Sequence, residues 1–213
     1  MAAPSTPPQA GVLLAAGRSR RMGTPKQLLP VPDTTGRGAV PMVVRAFDLL
    51  ARICDERIVV VTGHDAANVI AALAGRKFTQ ATSDPDADMF HSVRLGFSRL
   101  LDAFPDADRV WLHLADHPFV RADTIGLLAT HFETHTARTA ILPLYAGRGG
   151  HPALIPRDLL PAIINWQGDG GLRSFWLQHP AHATRINVDD PGVVHDLDTP
   201  RDYDDAVRAP RRD

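Results

Sequence analysis

The sequence predicts a single α/β domain built on a doubly wound, mostly parallel, Rossmann-like sheet. Three observations carry that reading. Short apolar and β-branched runs alternate with stretches of helical periodicity through the first two-thirds of the chain. The first such run ends in a glycine-containing basic segment, the kind of turn found at the ligand-binding edge of open α/β sheets. No stretch has the composition of an interdomain linker, so residues 11–207 read as one domain, with 1–10 and 208–213 expected as loose termini. The second half is less regular and is expected to form a substrate-covering subregion of the same domain.

The first strand is placed at residues 12–16, an apolar run suited to burial on both faces. Residues 31–40 hold Pro32, Gly36 and Gly38 and read as a loop. Pro41 opens a helix whose inward face is Val44, Phe47, Leu50 and Ala51. A second buried strand at 57–62 contains Ile58 to Val61 and stops at Gly63. Asp65 is placed to cap the next helix, which carries Val69, Ile70 and Leu73. A weaker strand follows at 78–82, then a helix with Phe90, Val93, Phe97, Leu100 and Leu101 on one face. Residues 109–115 form the fourth strand, closed by Asp116-His117-Pro118. Residues 122–136 read as a helix and 139–144 as the fifth strand. Beyond lie a short strand at 153–155, a helix near 157–165, a glycine-rich turn at 168–171, and extended segments at 184–188 and 193–197. Thr199 as N-cap, Pro200 at the first position and Asp202 in the first turn mark a last helix.

Bulk properties narrow the functional classes. At 213 residues with 44% hydrophobic and 22% charged residues, the chain can bury a proper core. A formal net charge of −1 supplies no field for nucleic acid or an anionic membrane, so neither is an expected partner. No apolar run is long enough to span a bilayer, and the N-terminus lacks the features of a secretory signal. Cys54 is the one cysteine, so no internal disulfide framework exists and a reducing, cytoplasmic compartment is the natural reading. It sits in a helical pattern and reads as a small buried residue.

The chemistry concentrates in residues 11–30. Gly17 and Gly23 bracket Arg18, Ser19, Arg20 and Arg21, and Lys26 follows. Small residues let a backbone approach an anion, clustered amides form a nest, and the cations add neutralising charge. The segment therefore reads as a polyphosphate site on a strand end. It is not a Walker loop, because five residues separate its glycines and Lys26 is followed by Gln27. Nor does it contain the dinucleotide fingerprint. Asp116 stands at the carboxyl end of a strong strand, on the same edge of a parallel sheet. A carboxylate facing phosphates calls for an intervening cation, and Mg²⁺, which takes one or two carboxylates plus phosphate oxygens, fits. Asp196 and Asp198, two apart, would share one side of a strand, although Asp198 equally suits the turn into the last helix. The histidine pairs 131/135 and 113/117 have neither zinc nor nucleophile spacing and read as surface or packing residues.

Residues 14–30 resemble the signature of the MobA-like molybdenum cofactor nucleotidyltransferases, Leu-Ala-Ala-Gly-x-Ser-x-Arg-Met-Gly-x-x-Lys-x-Leu-Leu-Pro, at every specified position. Leu114, Asp116 and Pro118 match the family's metal motif, and the segment from Asp196 matches its Asp-x-Asp-Thr-Pro motif, with Arg201 where Glu is usual. Pro85, Met89 and Ser92 match its base and α-phosphate region, with Asp84 for Asn and Asp88 for Gly. Gly149-Gly150-His151-Pro152 and the stretch from Gly168 to Arg173 resemble segments of the cytidylyltransferase branch.

The resemblance implies a nucleotidyltransferase fold and transfer of a nucleoside monophosphate from an NTP, with CTP favoured, to a molybdopterin-type acceptor. It implies Leu14, Ala15, Ala16, Gly17, Ser19, Gly23, Lys26 and Ser92 at the nucleotide, and Arg21, Lys26 and Asp116 in catalysis. Mg²⁺, replaceable by Mn²⁺, is expected on Asp116 with Asp196 or Asp198. His151 and Arg173 are expected at the acceptor phosphate, the bland alternatives being a turn histidine and a surface arginine. Transient contact with molybdoenzyme maturation proteins goes with that activity. A guanylyltransferase, a sugar- or alditol-phosphate cytidylyltransferase, a nicotinamide-dependent oxidoreductase and a non-catalytic nucleotide-binding protein are the alternatives.

Overall fold

The computed structural model describes residues 8–35, 37–135 and 138–208. Its core is an eight-stranded sheet. The strands are β1 (Gln9–Ala15), β4 (Ile58–Thr62), β5 (Thr79–Thr82), β6 (Arg109–Leu114), β7 (Ala140–Tyr145), β8 (Arg148–Gly149), β9 (Ala153–Pro156) and β10 (Ala183–Asn187). A separate hairpin pairs β2 (Pro30–Pro32) with β3 (Ala39–Pro41). The helices are α1 (Met42–Cys54), α2 (Ala66–Ala72), α3 (Met89–Ala103), α4 (Ala122–Thr134), α5 (Leu160–Asn165), α6 (Gly171–Gln178) and α7 (Pro200–Arg208).

The sheet runs β5-β4-β1-β6-β9-β7-β10, with β8 beside β7. From β5 through β6 all pairs are parallel, as is β10 with β7, whereas β9 runs antiparallel to both its neighbours. After β1 the chain builds β4 and β5 on one side, then returns to place β6 on the other. That reversal makes the β1–β6 boundary a topological switch point, where open α/β sheets hold ligands at their carboxyl ends.

Alternation along β1 divides the core. Val12 and Leu14 join Phe90, Val93 and Phe97 of α3 and Phe175 of α6 on one face. Leu13 and Ala15 join Phe47 and Leu50 of α1 and Leu128 of α4 on the other. α3 approaches the sheet closely because it presents Gly96 there. A Cβ on Gly96 would stand 2.6 Å from Val12 Cγ1 and 2.9 Å from Val61 Cγ2. Cys54 is buried as expected, and burial pushes its thiol pKa up. Among the described residues no helix is long and apolar enough to cross a membrane.

The structure departs from the sequence reading at five places. Residues 31–40 are not a plain loop. Val31 pairs with Val40 across the hairpin and is fully buried against Met42 and Leu197. Its turn is held by Asp33 Oδ1, which accepts from Thr35 N at 2.9 Å, and Gly36 lies outside the described residues. Asp65 occupies the cap position of α2 but its side chain makes no capping bond. Residues 193–197 form no strand. A 3-10 turn, Pro191–Val193, is tied by Asp190, whose carboxylate accepts from Gly192 N, Arg121 N and Thr124 Oγ1. The glycine-rich turn at 168–171 opens a helix, α6, which the sequence reading lacked. Gly170 and Gly171 turn the chain at φ +87° and +69°, and Phe175 and Trp176 bury the helix. Lastly, Gln9 and Ala10 belong to β1 and Arg208 ends α7, so the ordered domain is wider than 11–207. Residues 1–7 and 209–213, expected as loose, lie outside the described residues, as does Thr136 beyond the end of α4.

Candidate active site

The basic segment leaves β1 and folds into a compact turn. Ser19 takes φ +52° and Gly23 φ +69°, left-handed positions that the loop stabilises with its own bonds. The Ser19 carbonyl accepts from Met22 N at 2.9 Å and Gly23 N at 3.2 Å. Its hydroxyl accepts from Lys26 N at 2.9 Å and donates to Gln27 Oε1 at 3.0 Å. A 3-10 turn, Lys26–Leu28, then carries the Lys26 side chain back towards β6. A Cβ on Gly17 would meet nothing within 4 Å. Protein packing does not require glycine there, and the bared backbone borders a cleft instead.

Asp116 lies two residues beyond the end of β6. Its carbonyl accepts from Leu197 N at 3.2 Å, which fastens the segment after the Pro191 turn and brings Asp198 to the same edge. Lys26 Nζ lies 2.6 Å from Asp116 Oδ2 and also bonds Asp198 Oδ1. Arg21 pairs with Asp198 Oδ2. His117 Nδ1 lies 3.0 Å from Asp116 Oδ1. The Lys26 side chain is only 10% exposed, so its charge depends on these partners, whereas Arg21 is 69% exposed. Burial opposes the Lys26 charge, but Asp116 and then Asp198 outweigh it and hold the ammonium's pKa above its ordinary value. Burial likewise opposes ionisation of Asp116, yet the His117 hydrogen bond and the Lys26 charge hold its carboxyl below the usual range. Both groups are therefore ionised at neutral pH.

These groups line a cleft of about 520 Å³ at the β1–β6 switch point. Leu14, Ala15, Ala16, Gly17, Ser19, Arg21, Lys26, Ser92, Asp116, Asp196 and Asp198 all border it. Gly23 supports the turn without lining the cleft. Ser92 is buried and donates to Ser83 Oγ at 2.9 Å, tying α3 to the strand-end segment after β5. Asp196 is exposed on the rim, while Asp198 meets Lys26, which separates two residues that the sequence left equivalent. His151 and Arg173, expected at an acceptor, do not border this cleft. The His151 ring packs edge-on against His117 at 5.6 Å, with Nδ1 3.3 Å from Leu112 O. Arg173 is exposed on the first turn of α6.

Four contributors were missed. His117, read as a surface or packing residue, orients Asp116. Gln27 is buried, receives the Ser19 hydroxyl and reaches Gly17 O at 3.5 Å, so it braces the loop. Arg18, which had no role, pairs with Asp86 at 2.6 Å across the cleft. Asp88, where the resembling family has Gly, caps α3 by accepting from His91 N at 2.7 Å. The capping residue one position before a helical run is a signal the sequence did offer. The His117 contact was not legible, since neighbours on a strand end need not meet, and the ring also packs on His151, distant in sequence. His113 is fully buried with neither ring nitrogen hydrogen-bonded among the described residues, and burial holds its pKa well below the ordinary value.

Two carboxylates whose oxygens converge on one ammonium are hard oxygen donors suited to a divalent cation. Among the described residues no group of three His, Cys, Asp or Glu converges as a closed metal cage. Asp116 and Asp198 would thus supply two ligands and leave the rest to phosphate and water, the pattern Mg²⁺ favours.

Comparison with known proteins agrees with this geometry. The profile of the MobA-like NTP transferase domain matches residues 11–183. The chain is 31% identical over 196 residues to the nicotine blue oxidoreductase of Paenarthrobacter nicotinovorans, covering 89% of this chain and 91% of that one. It is 48% identical over 60 residues to a probable molybdenum cofactor guanylyltransferase of Rhodopirellula baltica, 28% of this chain and 26% of that one. The structure of Rv0371c from Mycobacterium tuberculosis, determined in complex with manganese, matches with a TM-score of 0.70 at 24% identity. That match covers 95% of this chain and all of the other, and is a likeness of fold.

Proposed function

The chain belongs to the MobA-like NTP transferase family, and from that membership we propose that it is a cytidylyltransferase acting on a molybdopterin-type acceptor. An oxygen of the acceptor phosphate attacks the α-phosphorus of CTP, the bond to the β-phosphate breaks, and pyrophosphate leaves. No general base is required, because the attacking oxygen is already anionic. The observation that carries the reading is the convergence of Lys26 and Arg21 on Asp116 and Asp198 at the carboxyl ends of β1 and β6.

In this reading the backbone from Leu14 to Ser19 cradles the triphosphate, and Arg21 and Lys26 neutralise charge that grows on the leaving pyrophosphate. Gly23 shapes the turn that aims them. Asp116 and Asp198 would hold Mg²⁺ or Mn²⁺, which would supply charge screening for the phosphates. Manganese in the Rv0371c complex supports a divalent metal. Ser92 supports the cleft wall beneath the base. His151 and Arg173 do not border the cleft, so neither is assigned a contact with the triphosphate. A cytoplasmic setting and transient contact with molybdoenzyme maturation proteins complete the proposal, in keeping with a chain whose lone cysteine forms no internal disulfide.

The preference for CTP rests on the Gly-Gly-His-Pro and Gly168 to Arg173 segments. The Rhodopirellula relative favours GTP as a second reading, and the Paenarthrobacter relative's name favours oxidoreduction as a third. One experiment ranks them: pyrophosphate release from each of the four NTPs with molybdopterin supplied, beside the fluorescence of NADH and NADPH on mixing with the protein. CTP turnover supports the proposal, GTP turnover the second reading, and nicotinamide binding without NTP turnover the third. No turnover with any NTP overturns the first two.

A further inference from the structure

The oxygens expected to hold a divalent cation are all engaged by the chain itself. His117 Nδ1 stands 3.0 Å from Asp116 Oδ1 and Lys26 Nζ 2.6 Å from Asp116 Oδ2. Lys26 also bonds Asp198 Oδ1, and Arg21 takes Asp198 Oδ2. Two positive side chains thus balance two negative ones, with Lys26, Asp116 and Asp198 largely out of solvent and Arg21 reaching in from the surface. From this arrangement we infer that Lys26 is a resident counter-cation, which keeps a metal off Asp116 and Asp198 until a polyphosphate draws its ammonium away. Metal and nucleotide then bind as a coupled pair, neither well without the other. The inference rests on the proposed-function reading that Lys26 and Arg21 meet the triphosphate.

The physical argument is charge balance in an enclosed space. A divalent cation entering alone would sit beside the Lys26 ammonium on the same oxygens and leave the site with two excess positive charges. A triphosphate entering alone would face two carboxylates. Entering together, the phosphates take Arg21 and Lys26 while the metal takes the carboxylates, and each charge exchanges one partner for another. Lys26 is suited to this exchange. Its backbone is pinned by Ser19, and its side chain is a flexible stem ending in a point charge with three donors. Coupling of this kind is reciprocal and commonly amounts to about 5- to 150-fold in affinity.

The test is Mn²⁺ binding to the full chain without nucleotide, read by electron paramagnetic resonance of free Mn²⁺. Wild type is compared with Lys26→Met, Lys26→Arg and Arg20→Met, each checked for folding by thermal unfolding. Arg20 borders the same cleft without touching either carboxylate, so its removal reports the effect of charge alone. The expected result is Mn²⁺ affinity at least tenfold tighter in Lys26→Met than in wild type, with Lys26→Arg and Arg20→Met within about twofold of wild type. Equal affinity in wild type and Lys26→Met, or an equal gain in Arg20→Met, overturns the inference. Should Lys26→Met fail to fold, Arg21→Met carries the test through Asp198 Oδ2, with a severalfold gain expected and no gain overturning it. Absence of NTP turnover would defeat the proposed reaction while leaving this comparison readable. Unchanged Mn²⁺ affinity with intact turnover would defeat only the coupling.

Discussion

Acidification from pH 7 to pH 5 should destabilise this protein through His151, and the size of the loss follows from its surroundings. The ring is enclosed between β6 and His117, and burial, followed by the nearby His117 ring, lowers its pKa from 6.5 to about 4. The unfolded chain therefore binds a proton that the folded chain refuses between those two values. Stability rises with pH in that window, so the contribution is whole above about pH 6.5 and lost as pH falls towards 4. Each pH unit there is worth about 1.4 kcal/mol, and integration between pH 7 and pH 5 gives about 2 kcal/mol for this one group. His113, fully buried and also lowered, acts in the same direction. Asp116 does not contribute in this range, because its carboxyl is lowered and its share is lost only in stronger acid. The assay is urea unfolding of wild type and His151→Asn at both pH values. Asparagine keeps a donor for Leu112 O but does not titrate. Wild type should lose about 2 kcal/mol more than the variant over this interval. Parallel losses, within about 0.5 kcal/mol, would refute the assignment of a buried neutral imidazole at this position.

Two further substitutions probe the site and the scaffold separately. Asp116→Asn removes the anionic oxygen facing Lys26, and pyrophosphate release from CTP should fall by about 100-fold or more; a loss under tenfold would take Asp116 out of the reaction. Gly96→Val drives a branched side chain into Val12 and Val61, and urea unfolding should show a loss of about 1–3 kcal/mol, with an unchanged midpoint telling against the close approach of α3.

Local signals carried most of the fold. β1, β4, β6 and β7 are apolar runs that the sheet buries, and α1 and α3 present the faces their periodicity marks. The errors fall where tertiary contacts outweigh local composition. Proline-flanked residues read as loop became the β2–β3 hairpin because Val31 had a buried partner in Leu197, far along the chain. The glycines before Phe175 read as a turn, yet a left-handed pair at Gly170 and Gly171 is also how a chain can enter a helix whose aromatic face has a core to join. The antiparallel β9 between β6 and β7 left no mark, since a four-residue apolar run fits either direction.

The site was legible in its parts and not in its wiring. Loop and carboxylates announced themselves because their residue types are costly without an ionic partner. The pairing of Lys26 with Asp116 and Asp198 spans 90 and 172 residues, and nothing local encodes it. It depends on two non-local facts. One is the reversal that sets β6 beside β1, which puts the ends of distant strands side by side. The other is the pair of backbone bonds, Leu197 N to Asp116 O and His151 N to Val193 O, that holds an irregular segment in place of the expected strand. A strand there would have aimed Asp196 and Asp198 alike. The irregular path instead exposes Asp196 and turns Asp198 inward, so the chain needs only one of the pair to complete the charge balance with Lys26 and Arg21. The same path sets the positive loop against the two acids, so that Lys26 and Arg21 are the counter-charges of Asp116 and Asp198.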